Sequence, residues 1–411
     1  MDIWDPPQAS AAVSTRTAKP RIALYSPDSY GLGHYRRSRR IAAAIVAAIP
    51  DAAVLMLSGS SVADRFSPVP RTDIVRLPAL TKSDTGGYLA RSLGLSGREV
   101  IRLRSAIIEA ALATFKPDIL IADHRPTGIE GELRAALELL HRTRRPGLIA
   151  LGLRDIIDVP TTVRRQWLRD GSYELIEWAY DEVWVYGRRE VFDTVAKYGV
   201  PPVSAAKFRF LGYISDAPPT TRPVRRRIPQ VVATGGGGED AYELLSTAMI
   251  AHRMSTTRFQ LTVFPGPLMP AAQRRELDSA ATETGRDVTV NHFTERAPAV
   301  VAGADCVVTM GGYNSVIESL AASVPCVVVP RVKPRKEQLL RAERMARLGW
   351  LDCVHPADLN PKTLLDHVLA AINDPPGAQI PPDYLDGLKN VVARVCMALG
   401  TQPKQARSVA L

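Results

Sequence analysis

Short apolar runs of strand length alternate with helix-length segments along most of the chain, and no other feature constrains the fold as strongly. The runs fall at 21–26, 53–58, 73–77, 118–123, 147–153 and 182–186, then at 229–234, 259–264, 287–292, 304–309 and 325–330. Strands separated by helices pair in parallel, because a parallel pair needs a crossover long enough to hold a helix. The expected class is therefore α/β. A proline-rich stretch from Ser215 to Pro223, followed by Arg225-Arg226-Arg227, interrupts the pattern. We therefore expect two Rossmann-like domains, at 20–214 and 229–375, joined by a linker at 215–228. Their parallel sheets would face each other across a cleft, the usual place for a ligand. Residues 1–19 are polar and punctuated by proline, which reads as a disordered tail, and 376–411 include a helix expected to return to the first domain. With 411 residues, 46% of them apolar, the chain is long enough for two such cores.

One strand-to-helix turn has the chemistry of a phosphate cradle. Ala304 to Val308 is apolar, Thr309-Met310-Gly311-Gly312-Tyr313-Asn314-Ser315 follows, and helix formers occupy 316–322. A glycine pair lets the backbone approach an anion closely, and a helix start offers unpaired N–H groups at its positive end. Asn314 or Ser315 suits a helix cap, and Glu318 falls one turn on, where a carboxylate can accept from ribose hydroxyls. A second run, Gly235 to Gly238, follows the strand at 229–234. Four glycines in succession cost much chain entropy, so a close backbone approach is expected there.

The first domain opens in a similar way, with the strand at 21–26 followed by Tyr30-Gly31-Leu32-Gly33-His34. This loop lacks the third glycine of a dinucleotide fingerprint and the Gly-Lys-Ser/Thr ending of a P-loop. His34 stands at the carboxyl end of the first strand, where open α/β sheets bind their ligands. Asp123 and His124 end the strand at 118–123, and Arg154 and Asp155 end that at 147–153. All four are expected to face the cleft. Asp123 is the expected partner of His34 as general base, with His124, Arg154 and Asp155 on the acceptor side. The segment from Lys82 to Gly97 reads as a mobile loop over the acceptor.

These motifs together resemble a known family. Gly311-Gly312-x-Asn314-Ser315-x-x-Glu318 leads to a strand between Pro325 and Pro330 and the basic loop Arg331 to Lys336. Glu337-Gln338 then opens a helix ending at Leu348-Gly349. This order resembles the donor-binding half of GT-B glycosyltransferases, most of all family 28, and Gly31-x-Gly33-His34 matches that family's first loop. The resemblance implies inverting transfer of a hexose or N-acetylhexosamine from a UDP-sugar to an acceptor hydroxyl. It implies that Gly33, Gly236, Gly237, Gly311, Gly312, Asn314 and Ser315 surround the donor diphosphate. Glu318 would take the ribose, Glu337 and Gln338 the sugar hydroxyls, and Asn291-His292-Phe293 would lie near the base. The chain departs from the pattern with Met310 where a basic residue often stands, and with Glu337 for the usual Asp. The family includes the peptidoglycan enzyme that adds N-acetylglucosamine to a lipid-linked acceptor, so a lipid-linked or other anionic acceptor is implied. Two alternatives share the fold. One is a UDP-sugar 2-epimerase, whose Asp-Ser-Gly-Gly signature is replaced here by Thr309-Met310-Gly311-Gly312; the other is a non-catalytic nucleotide-sugar-binding subunit.

The formal net charge is +10, yet basic and acidic residues are interspersed and no nucleic-acid module is recognisable, so no nucleic-acid partner is expected. Clusters at Arg36, Arg37, Arg39 and Arg40, at Arg142, Arg144 and Arg145, and at Arg164 and Arg165 suit anionic headgroups or a lipid phosphate. No Asp-x-Asp occurs, so no metal and no cofactor beyond the UDP-sugar is expected. The leaving diphosphate would then rely on helix amides and on Arg331, Lys333, Arg335 and Lys336. Four cysteines without Cys-x-x-Cys spacing suit reduced core positions. No apolar run reaches 18 residues, so neither a signal peptide nor a membrane span is expected. The expected location is cytoplasmic, with peripheral contact at the inner membrane face.

Overall fold

The computed structural model describes residues 19–27, 32–82, 87–143, 146–216, 226–285, 287–375 and 377–403. The expected tail, most of the linker, and Gly31, Arg144 and Arg145 lie outside them.

The first domain holds β1 (Arg21–Ser26), β2 (Ala53–Ser58), β3 (Thr72–Arg76), β4 (Leu80–Lys82), β5 (Tyr88–Ala90), β6 (Ile119–Asp123), β7 (Leu148–Arg154), β8 (Glu182–Tyr186) and β9 (Phe208–Phe210). Seven of these form a sheet in the order β3-β2-β1-β6-β7-β8-β9, with every pairing parallel. Helices cover both faces, so β6 and β8 are buried at each position and read as continuous apolar runs. The second domain holds β10 (Gln230–Thr234), β11 (Gln260–Phe264), β12 (Val288–Val290), β13 (Cys306–Thr309), β14 (Cys326–Val328) and β15 (Asp352–Cys353). They form a parallel sheet in the order β12-β11-β10-β13-β14-β15. The expected α/β class with two facing parallel sheets is the observed one.

In each sheet the strand order reverses beside its first strand, between β1 and β6 and between β10 and β13. Loops leaving the carboxyl ends of adjacent strands diverge there and open a crevice. His34 follows β1, Asp123 ends β6, Gly235 follows β10 and Gly311 follows β13. The fold thus brings the four expected stretches to the two crevices.

The segment read as a mobile loop holds β5, which pairs antiparallel with β4 just before it; residues 83–86 lie outside the described residues. β5 abuts α2 (Gly97–Phe115), which starts in a capping box of Ser96 with Glu99. Arg104 of α2, fully buried, pairs with Glu132 at 2.6 Å and donates to Pro78 O at 2.7 Å, which anchors the chain leading into β4. Each domain has a core of its own, and a further cluster is shared between them. Tyr35 and Ile41 of α1 (Gly33–Ala48) pack in the same cluster as Val316 and Ile317 of the second domain and Val391 and Val395 of the last helix, Gly387–Leu399. That last helix packs directly on α1.

Candidate active site

His34 is the second residue of α1, and its Nδ1 lies 2.7 Å from Asp123 Oδ2. Arg37, one turn further along and 1% exposed, donates to Asp123 Oδ1 at 2.8 Å and Oδ2 at 2.6 Å, and approaches His34 Nδ1 at 2.9 Å. Burial pushes the Asp123 carboxyl up, but Arg37 and then His34 outweigh it and hold the group below its usual range. Asp123 therefore remains a carboxylate beside His34 Nδ1, and the tautomer that donates Nδ1–H to it is the one that leaves a basic lone pair on Nε2. His124 stacks against this pair, its ring 4.6 Å from that of His34, and is 5% exposed. Burial above all, and then Arg154, push its pKa well down, so it is a neutral imidazole.

Facing this group is a backbone cradle. A cavity of about 500 Å³ is lined by His34, His124 and Arg154 from the first domain, and by Gly235 to Gly238 and Gly312 to Ser315 from the second. The helix Tyr313–Ala321 begins in this wall, with Gly312 as N-cap and no side-chain cap. Its first closing bond runs from Val316 N to Gly312 O, so the N–H groups of Tyr313, Asn314 and Ser315 have no acceptor within the helix. Three amides and the positive helix end at one wall suit an anion. Gly311 makes the turn possible: its φ is +82°, and a Cβ there would lie 2.8 Å from Val328 Cγ1. Glu337 and Gln338 also reach the wall. Arg331 bridges Asp240 at 2.8 Å and Glu337 at 3.3 Å, and its N–H donates to Gln338 Oε1 at 3.0 Å.

Residues 231–381 match the glycosyltransferase family 28 C-terminal domain. That match covers the second domain, a little over a third of the chain. The UDP-N-acetylglucosamine--N-acetylmuramyl-(pentapeptide) pyrophosphoryl-undecaprenol N-acetylglucosamine transferase of Clostridium kluyveri is 30% identical over 92 residues, 22% of this chain and 26% of that relative. The match thus spans about a quarter of the relative's length. Among solved structures, a calicheamicin glycosyltransferase superposes over 93% of this chain and 98% of its own, with a TM-score of 0.57 and 16% identity. MurG of Acinetobacter baumannii covers 94% and 96%, with a TM-score of 0.52 and 13% identity. These likenesses give the chain the GT-B fold.

The structure gathers most of the expected family 28 site residues in the cavity wall: Gly33, His34, His124, Arg154, Gly236, Gly237, Gly312, Asn314, Ser315, Glu337 and Gln338. Asp123 stands directly behind His34. Four readings need correction. Asp155 does not face the acceptor; 2% exposed, it forms a buried pair with Arg341 of the second domain at 2.7 Å. Gly311 shapes the turn behind the wall and does not line it. Asn314 does not cap its helix, since its Nδ2 crosses the cleft to donate to Gly33 O at 3.2 Å. Glu318 lies behind the wall, where Arg36 at 2.7 Å and Arg40 at 2.6 Å donate to its Oε1. Its Oε2 accepts no hydrogen bond from the described residues.

Of the cluster read as a lipid-facing patch, Arg36 and Arg40 are committed to Glu318 across the domains, Arg37 to Asp123 within the first domain, and Arg39 donates to Ser67 O at 2.8 Å. Asn291, His292 and Phe293 do not reach the cavity; His292 pairs with Asp278 at 3.1 Å. Sequence reasoning missed the roles of Arg37 and Arg341. Each lies on the buried stripe of its helix, Arg341 alongside Ala342 and Met345, and an arginine on an apolar stripe signals a buried carboxylate partner.

Proposed function

We propose that this protein transfers a hexose or N-acetylhexosamine from a UDP-sugar to an acceptor hydroxyl, with inversion and without a metal ion. One observation carries the reading: the His34–Asp123 pair of one domain and the amide cradle of the other open into the same cavity. In this step His34 Nε2 takes the proton of the acceptor hydroxyl, whose oxygen attacks the anomeric carbon. The bond from that carbon to the β-phosphate oxygen breaks on the opposite face, and UDP leaves with the electron pair. Asp123 stabilises the imidazolium that forms, and Arg37 keeps Asp123 ionised. The amides of Tyr313 to Ser315, with Arg331 and Lys333 at the same wall, receive the diphosphate charge. Glu337 and Gln338 serve the sugar hydroxyls.

Metal independence is supported by the missing Asp-x-Asp. Among the described residues no three His, Cys, Asp or Glu side chains gather as metal ligands. The curated relative's name describes a pyrophosphoryl-undecaprenol acceptor, which supports a lipid-linked acceptor and peripheral membrane contact here. None of the described helices is long and apolar enough to cross a membrane. The test is UDP release from a panel of UDP-sugars, with and without membrane lipid extract, in excess EDTA. Acceptor-dependent release that survives EDTA is the expected result. A strict requirement for Mg²⁺ or Mn²⁺ would refute metal independence, and interconversion of free UDP-N-acetylhexosamines without acceptor would replace transfer with epimerisation.

A further inference from the structure

The buried and half-buried arginines of the cleft fall into two groups. Arg37 has Asp123, Arg40 has Glu318, Arg341 has Asp155, and Arg331 has Asp240. Arg154 and Arg335 are different. Both line the cavity, and neither makes an ion pair or hydrogen bond among the described residues. Nε of Arg154 is buried without an acceptor. Beside them His124, 95% buried, has its Nδ1 without a partner. Arg125 and Lys333 extend the same wall, and the Arg125 guanidinium donates to Tyr88 Oη at 3.2 Å. Two carboxylates lie near enough to be felt, Glu337, whose Oε1 pairs with Arg331, and Asp158, but neither makes an ion pair with Arg154 or Arg335 among the described residues. Holding half-buried cations without a paired carboxylate is costly, and a native cleft that keeps them has a use for them.

We infer that the cleft carries a second anion subsite, apart from the diphosphate cradle, in which Arg154, Arg335 and His124 receive a carboxylate or phosphate borne by one of the sugars at the reaction centre. This rests on the proposed transfer and names a further feature of its substrate. The cradle is made of backbone amides on the second domain, whereas Arg154 and His124 end β7 and β6 of the first. His124 stacks on His34, so an anion it touches lies within about a pyranose ring of the nitrogen that takes the acceptor proton. The tail of a long acceptor is too remote to supply it. Burial lowers Arg154 to about 10 and, with Arg125, lowers Arg335, as expected of cations held close together without their counter-ion. A bound oxyanion would reverse both shifts.

Two sources of the oxyanion are distinguishable: a uronic acid on the donor, or a phosphate on the acceptor sugar. The donor arm compares UDP-glucuronate with UDP-glucose by calorimetry on the full chain. The acceptor arm titrates glucose 1-phosphate against glucose with the protein saturated in UDP. At least one anionic probe should bind about tenfold or more tightly than its neutral counterpart, the scale of a charge-assisted hydrogen bond. In Arg154→Gln and Arg335→Gln that preference should vanish while UDP affinity holds, and Arg335→Lys should restore part of it. Arg335 lies in a loop, so its variants report even if Arg154→Gln fails to fold. A preference for UDP-glucuronate places the anion on the donor; tighter binding of glucose 1-phosphate over bound UDP places it on the acceptor. If neither anion is preferred, or the preference survives both glutamine variants, the subsite is refuted. If UDP itself does not bind, the nucleotide reading fails separately, and titrating glucose 1-phosphate alone still decides the subsite.

Discussion

The relay of Arg37, Asp123 and His34 is the smallest unit on which the proposed chemistry depends. Its geometry predicts a separation of functions, because His34 belongs to the proton and the second domain holds the nucleotide. His34→Ala should lower kcat by about 10²–10⁴-fold, the usual value of a general base. UDP affinity measured by calorimetry should stay close to that of the unaltered protein. Parallel loss of UDP affinity would show that His34 grips the donor and is not the base. The position of His34 was legible because a histidine after the first strand of such a sheet has few places to go. Asp155 was misread for an instructive reason: the end of β7 puts one residue, Arg154, into the cavity and turns the next toward the other domain. Strand alternation gives opposite faces to successive side chains, and the sequence alone does not say which face the cleft takes.

Elements were legible in proportion to their length. The runs of strand length at 21–26, 53–58 and 182–186 carry enough apolar residues to show themselves. The three-residue strands β4 and β5 and the two-residue β15 are too short for any period to register. The turn into the helix Tyr313–Ala321 was readable as a cradle, but which glycine does what was not. Gly311 has φ +82° and no room for a Cβ, whereas a Cβ on Gly312 would meet nothing within 4 Å. Gly311→Ala should therefore destabilise the protein by roughly 1–3 kcal/mol, the cost of a strained left-handed residue, and weaken UDP binding by displacing the helix start. Gly312→Ala should leave the denaturation midpoint nearly unchanged while crowding the cavity wall. Equal midpoints for the two variants would mean that the turn does not have this conformation.

The whole molecule depends on contacts that no local pattern announces. Arg36 and Arg40 meet Glu318 across 282 and 278 residues of sequence, and Arg341 meets Asp155 across 186. An arginine cluster on α1 looks in the sequence like a solvated or lipid-facing patch, and only the apposition of the domains shows its carboxylates. Burial raises the Glu318 carboxyl, but Arg36 and then Arg40 outweigh it and hold the group below its usual range. For a carboxylate depressed in the folded state, the stabilisation is complete above the unfolded value of about 4 and is lost as pH falls through the lower folded value. Asp123 is depressed in the same sense within the first domain, so the Glu318 contact between the domains and the Asp123 cluster behind His34 both stay intact near neutrality and weaken only in acid. Glu318→Gln removes the charge at every pH, leaving half-buried Arg36 without its carboxylate and buried Arg40 with Asp216 alone, at a cost of up to about 3–5 kcal/mol where the site stays closed. Opening the cleft relieves that cost by letting water reach Arg36 and Arg40. Small-angle scattering should then show a larger radius of gyration for Glu318→Gln than for the unaltered protein at pH 7. The unaltered protein should expand toward that value only below about pH 4, and the variant should change less over the same titration. Superimposable scattering curves at pH 7 would mean that the shared cluster and the Arg341–Asp155 pair hold the domains together without Glu318.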